Sequence, residues 1–317
     1  MPEGDSVFQT ARRLNAALAG HEIELADLRW PSLATADLVG DTTIEVVAVG
    51  KHILHRLASG RTLHSHLKME GRWWVRPLDD RRGWGDPAVR AVLATDAYVA
   101  LGTRLGMLDL VATRDEHTLV GHLGPDVLGP TWDAERAVAN LGANPEAVIG
   151  AALLDQRNLA GLGTVYVAET LFLQRLSPWV PVGEITPERL AGTVARAHIL
   201  LAANKDTYAR TITGSRVEGQ RDYVHGRSGL PCRRCGTTIE VAPLDEAGRV
   251  VFFCRSCQEG PFPPLRPQRP LGSSPRGPET PLALCRLGKA RRAWQGNDAL
   301  PSAPGLAKRS RVTGAAG

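Results

Sequence analysis

The sequence predicts a multidomain α+β protein with an N-terminal β-sandwich and flanking helices, a helical domain, a cysteine-bearing C-terminal β-hairpin and a disordered basic tail. Short β-rich runs separated by turn residues occupy residues 44–111, which is typical of a sandwich or barrel. After residue 129 the apolar spacing becomes helical, and four of the five cysteines lie within residues 232–257. We therefore place the domains at 2–129, 130–224, 225–259 and 260–317.

The first domain should open with a helix over residues 6–18, where apolar residues recur at helical spacing and Asp5 or Ser6 stands in a capping position. In the second domain, helices are predicted over 147–154, 164–176 and 187–203. The predicted strands cover residues 44–49, 52–57, 62–66, 72–75, 89–93, 98–101 and 107–111.

The net charge of +5 is unevenly distributed. Residues 1–259 contain 28 Lys and Arg against 31 Asp and Glu, whereas residues 260–317 contain 10 against 2. The tail also has 10 prolines and no hydrophobic period, which predicts disorder. It could add salt-sensitive affinity for nucleic acid, contact an acidic partner or serve only as a solubilising extension.

The chain contains no run of 18 apolar residues and no basic-then-apolar signal segment, so we expect a cytoplasmic protein with no membrane partner. The first 231 residues contain no cysteine, which is typical of a metal site and not of a disulfide framework.

The cysteines form two pairs, Cys232 with Cys235 and Cys254 with Cys257, each separated by two residues. Four thiolates favour a closed structural zinc site, and an iron–sulfur cluster is the alternative. β-rich segments at 237–241 and 250–253 flank the turn-like residues 245–248, so we predict a zinc-stapled β-hairpin. Just past its turn, Arg249 could contact phosphate or remain a solvated surface residue.

A candidate nucleophile stands at the start of the chain. Loss of Met1 would leave a secondary amine on Pro2 beside the carboxylate of Glu3. An α-amino group has a pKa of about 7.7 to 8.0, so a useful fraction is unprotonated at neutral pH and can attack an electrophilic carbon. From these residues alone, a stiff start to the chain remains the simpler interpretation.

Three further features have both a functional and a structural interpretation. The helix–turn–helix segment 153–173 includes Gly163, whose backbone could approach phosphate, although such hairpins are also plain packing units. Lys51 could place a cation near a reaction centre or simply be exposed. Met69, at a probable bend, could wedge between bases or pack in the core. His64 and His66 have strand spacing but no third ligand, so we interpret them as structural.

Together these features resemble the formamidopyrimidine-DNA glycosylase and endonuclease VIII family over about residues 2–258. The motifs are Pro-Glu-Gly at 2–4, Gly-Lys-His at 50–52, His-Leu-Lys-Met-Glu-Gly at 66–71, the helix–two-turn–helix segment 153–173 and the cysteine hairpin ending at 258. The start and the Gly-Lys-His motif look most like actinobacterial endonuclease VIII, which acts chiefly on oxidised pyrimidines.

The resemblance implies a bifunctional DNA glycosylase and abasic-site lyase. Pro2 would attack C1′ of a flipped, damaged nucleotide and form a Schiff base, and β- and δ-elimination would then cut the strand. Glu3 would act as general acid and proton shuttle, while Lys51 would stabilise the phosphate and assist protonation. The implied partner is damaged DNA, duplex or single-stranded; no nucleotide cofactor is implied, and we expect a monomer.

By the same resemblance, Met69 would fill the void left by the flipped base, Arg249 would grip flanking phosphates, and Gly163 would lie in the phosphate-binding turn. The family usually has Asn after that glycine, whereas this chain has Thr164. Threonine lacks the two amide donors, so we expect weaker DNA binding or a substitute contact such as Asn158. A catalytically weakened relative that recognises lesions or abasic sites is the alternative.

Overall fold

The computed structural model describes residues 2–264 apart from Tyr208 and Ala247. Its first domain begins with helix α1, Gly4–Leu18, and contains eight strands. The strands are β1 Leu25–Leu28, β2 Thr43–Val49, β3 His52–Leu57, β4 Arg61–His66, β5 Arg72–Pro77, β6 Val89–Ala94, β7 Tyr98–Thr103 and β8 Met107–Ala112.

The eight strands form two antiparallel four-stranded sheets, in the orders β1-β6-β7-β5 and β2-β3-β4-β8. This confirms the predicted sandwich. All seven predicted strands are present, with ends that differ by at most two residues, and β1 is an additional strand. The apolar face of α1 packs into the same core as both sheets.

Helix α1 corrects the predicted cap. It begins at Gly4, and Glu3 occupies the cap position, so Asp5 and Ser6 both belong to the first turn. The Ser6 hydroxyl accepts a hydrogen bond from the Glu3 backbone N–H at 2.9 Å. This local bond fixes the path of the chain immediately after Pro2.

Helix α2, His117–Val120, follows the last strand of the first domain, and the helical domain comprises α3 Ala134–Gly142, α4 Ile149–Leu154, α5 Thr164–Leu173 and α6 Pro187–Asn204. Of these, α2 and α3 were not predicted from the sequence. Helix α5 ends three residues earlier than predicted because Arg175 adopts a left-handed conformation with φ of 54°. Residues 165–172 of α5 are all buried, so this helix forms the centre of the domain.

The cysteine hairpin has strands β9, Glu240–Pro243, and β10, Val250–Phe253. The first strand begins later than the predicted residue 237 because the preceding residues pair back onto the cysteine loop. The Ile239 N–H donates to the Leu230 carbonyl, and the Cys232 N–H donates to the Thr237 carbonyl. The turn at 245–248 is confirmed by the bond from the Gly248 N–H to the Asp245 carbonyl.

The first residues of the predicted disordered tail pack against the body of the protein. The Phe262 ring stacks on Phe253 with ring centroids 5.2 Å apart, and the Pro261 carbonyl accepts a hydrogen bond from Ser177. The remainder of that prediction, residues 265–317, lies outside the described residues. Among the helices described, none is long and apolar enough to cross a membrane.

Candidate active site and cysteine centre

Glu3 is fully buried, and its carboxylate lies at the N-terminus of helix α5. Oε2 accepts the backbone N–H groups of Gly163 at 2.9 Å and Tyr166 at 3.4 Å, while Oε1 accepts that of Val165 at 2.9 Å. The free amides and the helix dipole make this a favourable seat for a negative charge. Glu3, the third residue of the chain, is thereby bound to the helical domain.

The glycines at this junction permit close backbone contact. A Cβ atom at Gly163 would lie 2.3 Å from Glu3 Cδ, and one at Gly4 would lie 3.0 Å from the Gly161 carbonyl oxygen. The Gly4 N–H donates to that same oxygen at 2.9 Å. The backbone N–H of Gly163 is therefore used within the protein to hold Glu3, a role that sequence analysis did not foresee.

Lys51 lies in the turn between β2 and β3 and is held next to the same junction. Gly50, with φ of 58°, has its N–H bound to Asp126 Oδ2 at 2.9 Å, and a Cβ there would lie 2.9 Å from that of Ala160. Asp126 therefore fixes the Lys51 turn to the helical domain. This role of Asp126 could not be predicted from local sequence, because Gly50 and Asp126 are 76 positions apart.

Burial and mutual attraction set the proton affinities of Glu3 and Lys51. Removal from water raises the pKa of Glu3, and the charge of Lys51 and the Val165 N–H oppose that rise. Burial lowers the pKa of Lys51, Glu3 opposes this effect, and the charge of Arg249 adds to it. The pKa values of the two groups are thus shifted toward each other, a pattern that is common at functional sites.

Pro2, the residue directly before Glu3, lines a cavity of about 270 Å³. Met69 and Arg210 lie on other walls of the same cavity. Met69 is 66% exposed and follows Lys68, whose φ is 52°. The core-packing interpretation of Met69 is therefore wrong, because its side chain borders the cavity and is not part of the hydrophobic core.

The histidines of β3 and β4 form a hydrogen-bonded chain. His64 is fully buried, with Nδ1 2.9 Å from Asp109 Oδ2 and Nε2 2.8 Å from Nδ1 of His52. His66 accepts the Lys68 N–H at 2.9 Å. Burial is the main cause that lowers the pKa of His52 to about 3 and that of His66 to about 4. These contacts agree with a structural role.

Thr164 and Arg249, the two proposed DNA contacts, lie at different places, in helix α5 and in the cysteine hairpin. Thr164 is the first residue of α5, and its own N–H is not among the three that bind Glu3. Arg249 pairs with Asp245 within the hairpin and reaches the Leu154 carbonyl at 3.4 Å. The Asn158 amide donates to the Ala152 carbonyl at 2.9 Å, so it already has an internal partner.

The four predicted cysteines come together and could hold a metal ion. All their Sγ atoms lie within 4.8 Å of one another, with Cys232 and Cys257 3.8 Å apart and Cys235 and Cys254 3.5 Å apart. A tetrahedral ion bound by sulfur at about 2.3 Å requires sulfur atoms about 3.8 Å apart. The donor set therefore fits a four-coordinate metal centre.

The fold and site define a DNA glycosylase that also acts as an abasic-site lyase. Residues 1–110 match the formamidopyrimidine-DNA glycosylase N-terminal domain, and residues 123–213 match the H2TH domain of the same enzymes. The two matched segments contain Pro2, Glu3 and Lys51 in the first and the amides that bind Glu3 in the second.

Curated relatives extend the match over most of the chain. A probable endonuclease 8 2 of Streptomyces coelicolor is 48% identical over 87% of this chain and its own full length. The DNA-(apurinic or apyrimidinic site) lyase Nei2 of Mycolicibacterium smegmatis is 42% identical, covering 81% of this chain and 99% of its own. The protein belongs to the formamidopyrimidine-DNA glycosylase and endonuclease 8 family of base excision repair, as its motifs predict.

The solved structures agree in fold. A Lactococcus lactis formamidopyrimidine-DNA glycosylase bound to DNA with an abasic site is 23% identical and has a TM-score of 0.68. The match covers 82% of this chain and the whole of that one. At that level of identity the likeness supports the architecture of sandwich, helical domain and cysteine hairpin.

Proposed function

We propose that the protein removes oxidised bases, with pyrimidines favoured, through a Schiff base on Pro2 and then cuts the strand by β,δ-elimination. The observation that carries this proposal is the seat of Glu3: a buried carboxylate beside Lys51 at the N-terminus of α5, adjacent to a residue that lines a cavity. The proposed nucleophile lines the cavity, the proposed acid follows it directly in the sequence, and the proposed cation lies close enough to that acid to influence its pKa.

The chemistry begins once Met1 has been removed. The Pro2 nitrogen attacks C1′ of the everted nucleotide, the bond from C1′ to the base breaks, and the base departs with a proton that Lys51 helps to supply. Glu3, whose pKa is raised by burial, delivers a proton to the sugar oxygen so that the ring opens to an iminium ion. Loss of a C2′ proton then expels the 3′ phosphate, and a second elimination expels the 5′ phosphate.

Damaged DNA, duplex or single-stranded, is the proposed partner. The named complexes of similar fold contain abasic-site or damaged DNA. The backbone amide and hydroxyl of Thr164 and the guanidinium of Arg249 would contact phosphates, while the exposed Met69 would occupy the place of the everted base. Arg249 first has to exchange its bond with Asp245 for phosphate. We propose that the protein acts as a cytoplasmic monomer on nucleoid DNA.

Zinc is the metal that we propose for the cysteine centre. Four thiolates suit a tetrahedral structural ion, and their closed coordination leaves no position for substrate. Cys232, Cys235, Cys254 and Cys257 would hold it. When bound, the ion supplies cross-linking of the hairpin that presents Arg249, and it takes no part in the reaction.

Borohydride trapping tests the covalent step. Wild-type protein incubated with an abasic-site duplex and borohydride should give a covalent protein–DNA adduct, and Pro2→Gly should abolish it while leaving DNA binding intact. The alternative, a weakened relative that only recognises lesions, is favoured by Thr164 in place of the usual asparagine. It predicts binding without any adduct from the wild-type protein, and that result would contradict the Schiff-base proposal.

A further inference from the structure

Asp5 carries a buried acceptor atom that the proposed chemistry does not use. Its side chain is only 3% exposed, and its Oδ2 accepts a hydrogen bond from the Tyr166 hydroxyl at 2.8 Å. Within the described part of the chain, Oδ1 has no hydrogen-bond partner. A buried carboxylate oxygen without a partner is costly, so such an atom calls for a ligand that completes it.

Asp5 is one of the residues that line the cavity beside Pro2, while its unpartnered oxygen has almost no exposed surface of its own. Asp5 lines this space of about 270 Å³ from helix α1, and Arg210 lines it from the segment after α6. The Arg210 guanidinium lies 5.7 Å from the centre of the Tyr166 ring, so the same tyrosine adjoins both charged groups. No salt bridge joins Asp5 to Arg210 among the residues described, so two side chains of opposite charge line one cavity without pairing with each other.

We infer that Asp5 reads the everted base by accepting one N–H group from its Watson–Crick edge, with Arg210 donating to a neighbouring acceptor on that edge. This inference rests on the proposed function, because it assumes that a base enters the cavity beside Pro2. The N–H can come from N3 of a uracil- or thymine-derived lesion or from N4 of a cytosine-derived lesion. A base that presents only acceptors would leave Oδ1 unpaired and would face charge repulsion.

A purely structural role for Asp5 makes different predictions. An acidic residue in the first turn of a helix is stabilised by the helix dipole, and the bond to Tyr166 ties α1 to α5. Either effect would influence the whole active site. It would therefore alter cleavage at an abasic site, which has no base, as much as it alters base excision.

Single-turnover assays on matched duplexes separate these roles. One pair contains 5,6-dihydrouracil or its N3-methyl derivative, a second contains 5-hydroxycytosine or its N4,N4-dimethyl derivative, and a fifth duplex contains an abasic site. Wild-type protein should excise the N–H member of at least one pair about ten- to a hundredfold faster than its methylated partner. The pair that shows this preference identifies which N–H is read.

The Asp5→Asn variant should retain a partner for Tyr166 while presenting an amide donor to the base. It should excise the preferred N–H lesion at the rate of the methylated one and cleave the abasic duplex at the wild-type rate. Asp5→Ala, which removes both oxygens, should likewise lose the preference for N–H. Asp27→Asn, an exposed change of the same charge on β1, should behave as wild type in every assay.

Three results would overturn the role of Asp5. These are equal losses of base excision and abasic cleavage in both Asp5 variants, no loss of base excision in either, or a wild-type protein indifferent to methylation. A wild-type protein that excises no base and cleaves no abasic site would contradict the proposed function itself, and the role of Asp5 with it.

Discussion

Two buried carboxylates at helix α5 each accept three backbone N–H groups, and only one of them, Glu3, is proposed to react. Glu3 accepts three backbone N–H groups at the start of the helix. Glu169, within the helix, accepts those of Tyr223 at 2.9 Å and of Val224 and His225 at 2.8 Å each. Both carboxylates are completely removed from solvent.

The surroundings of the two groups differ. Glu3 is influenced by the charge of Lys51 and directly follows Pro2, which lines a cavity, whereas the contacts of Glu169 fix the segment that leads into the cysteine hairpin. Burial is the main cause that raises the pKa of Glu169 to about 7. A buried carboxylate with three amide donors is thus not by itself a sign of catalysis; the adjacent cation and open space make the difference.

The largest expected effect is that of Glu3→Gln on base excision. Glutamine nearly preserves the volume but cannot transfer the proton, and removal of a general acid typically lowers the rate by about 10²- to 10⁴-fold. Thermal unfolding should change far less than activity. Single-turnover excision measures the rate, with Glu24→Gln at an exposed position as control. A rate within a few-fold of wild type would place the acid elsewhere.

Gly163→Ala should displace the same carboxylate without altering its chemistry. The new Cβ would lie 2.3 Å from Glu3 Cδ, and misplacement of a catalytic group by about 1 Å can lower the rate about a hundredfold. Gly192→Ala in α6, where no atom lies within 4 Å of the added Cβ, provides the matched control. Similar excision rates in the two variants would show that displacement of the Glu3 carboxylate does not impair excision.

Glu169→Gln should chiefly affect stability. Its single amide oxygen cannot accept all three N–H groups, and its NH₂ group faces donors, so the free energy of unfolding should fall by about 2–3 kcal/mol. Below the unfolding transition, the variant should still excise bases. Denaturant titration measures the loss of stability, and single-turnover excision measures the retained activity. A variant that is as stable as wild type but inactive would contradict the prediction.

The pH dependence of stability gives the smallest expected effect. Because the pKa of Glu169 is about 7 in the folded state and lower in the unfolded chain, the folded state retains a proton that the unfolded chain has lost. The contribution of protonated Glu169 to the free energy of unfolding is therefore complete below the pKa of the unfolded state. It decreases as the pH rises toward the pKa of the folded state. The stability difference between wild type and Glu169→Gln should narrow by about 1 kcal/mol between pH 6.0 and 7.5. A constant difference would mean that the pKa is not raised.

The sequence predicted the elements whose signals are local. Alternating strands, the glycine turn before α5 and the cysteine spacing all reappear in the structure. Helix α3 also had a signal that was not used, since Asp133 precedes it and accepts the Arg136 N–H at 2.9 Å. Strand β1 has only four residues, too few for a clear alternation.

The partners of the site residues were not predictable in this way. Asp5 and Ser6 are both residue types that favour the N-cap position of a helix. Asp5 instead bonds with Tyr166, 161 positions away, and this contact could not be read from the local sequence. Asp126 and Glu169 likewise act on backbone that is distant in sequence. Family resemblance supplied the residues that we propose to react, while the groups that position them are apparent only in the folded protein.

The bond between Gly4 and the Gly161 carbonyl also has a meaning for biosynthesis. Ribosomes add about 5–20 residues per second, so Pro2 and Glu3 are made about 10 to 30 seconds before the amides that bind Glu3. During that interval Glu3 has no helix N-terminus to bind, so the proposed nucleophile and acid are present but are not held in place. Under the proposed mechanism the site is assembled only once helix α5 has been made, which limits strand cutting by incomplete chains.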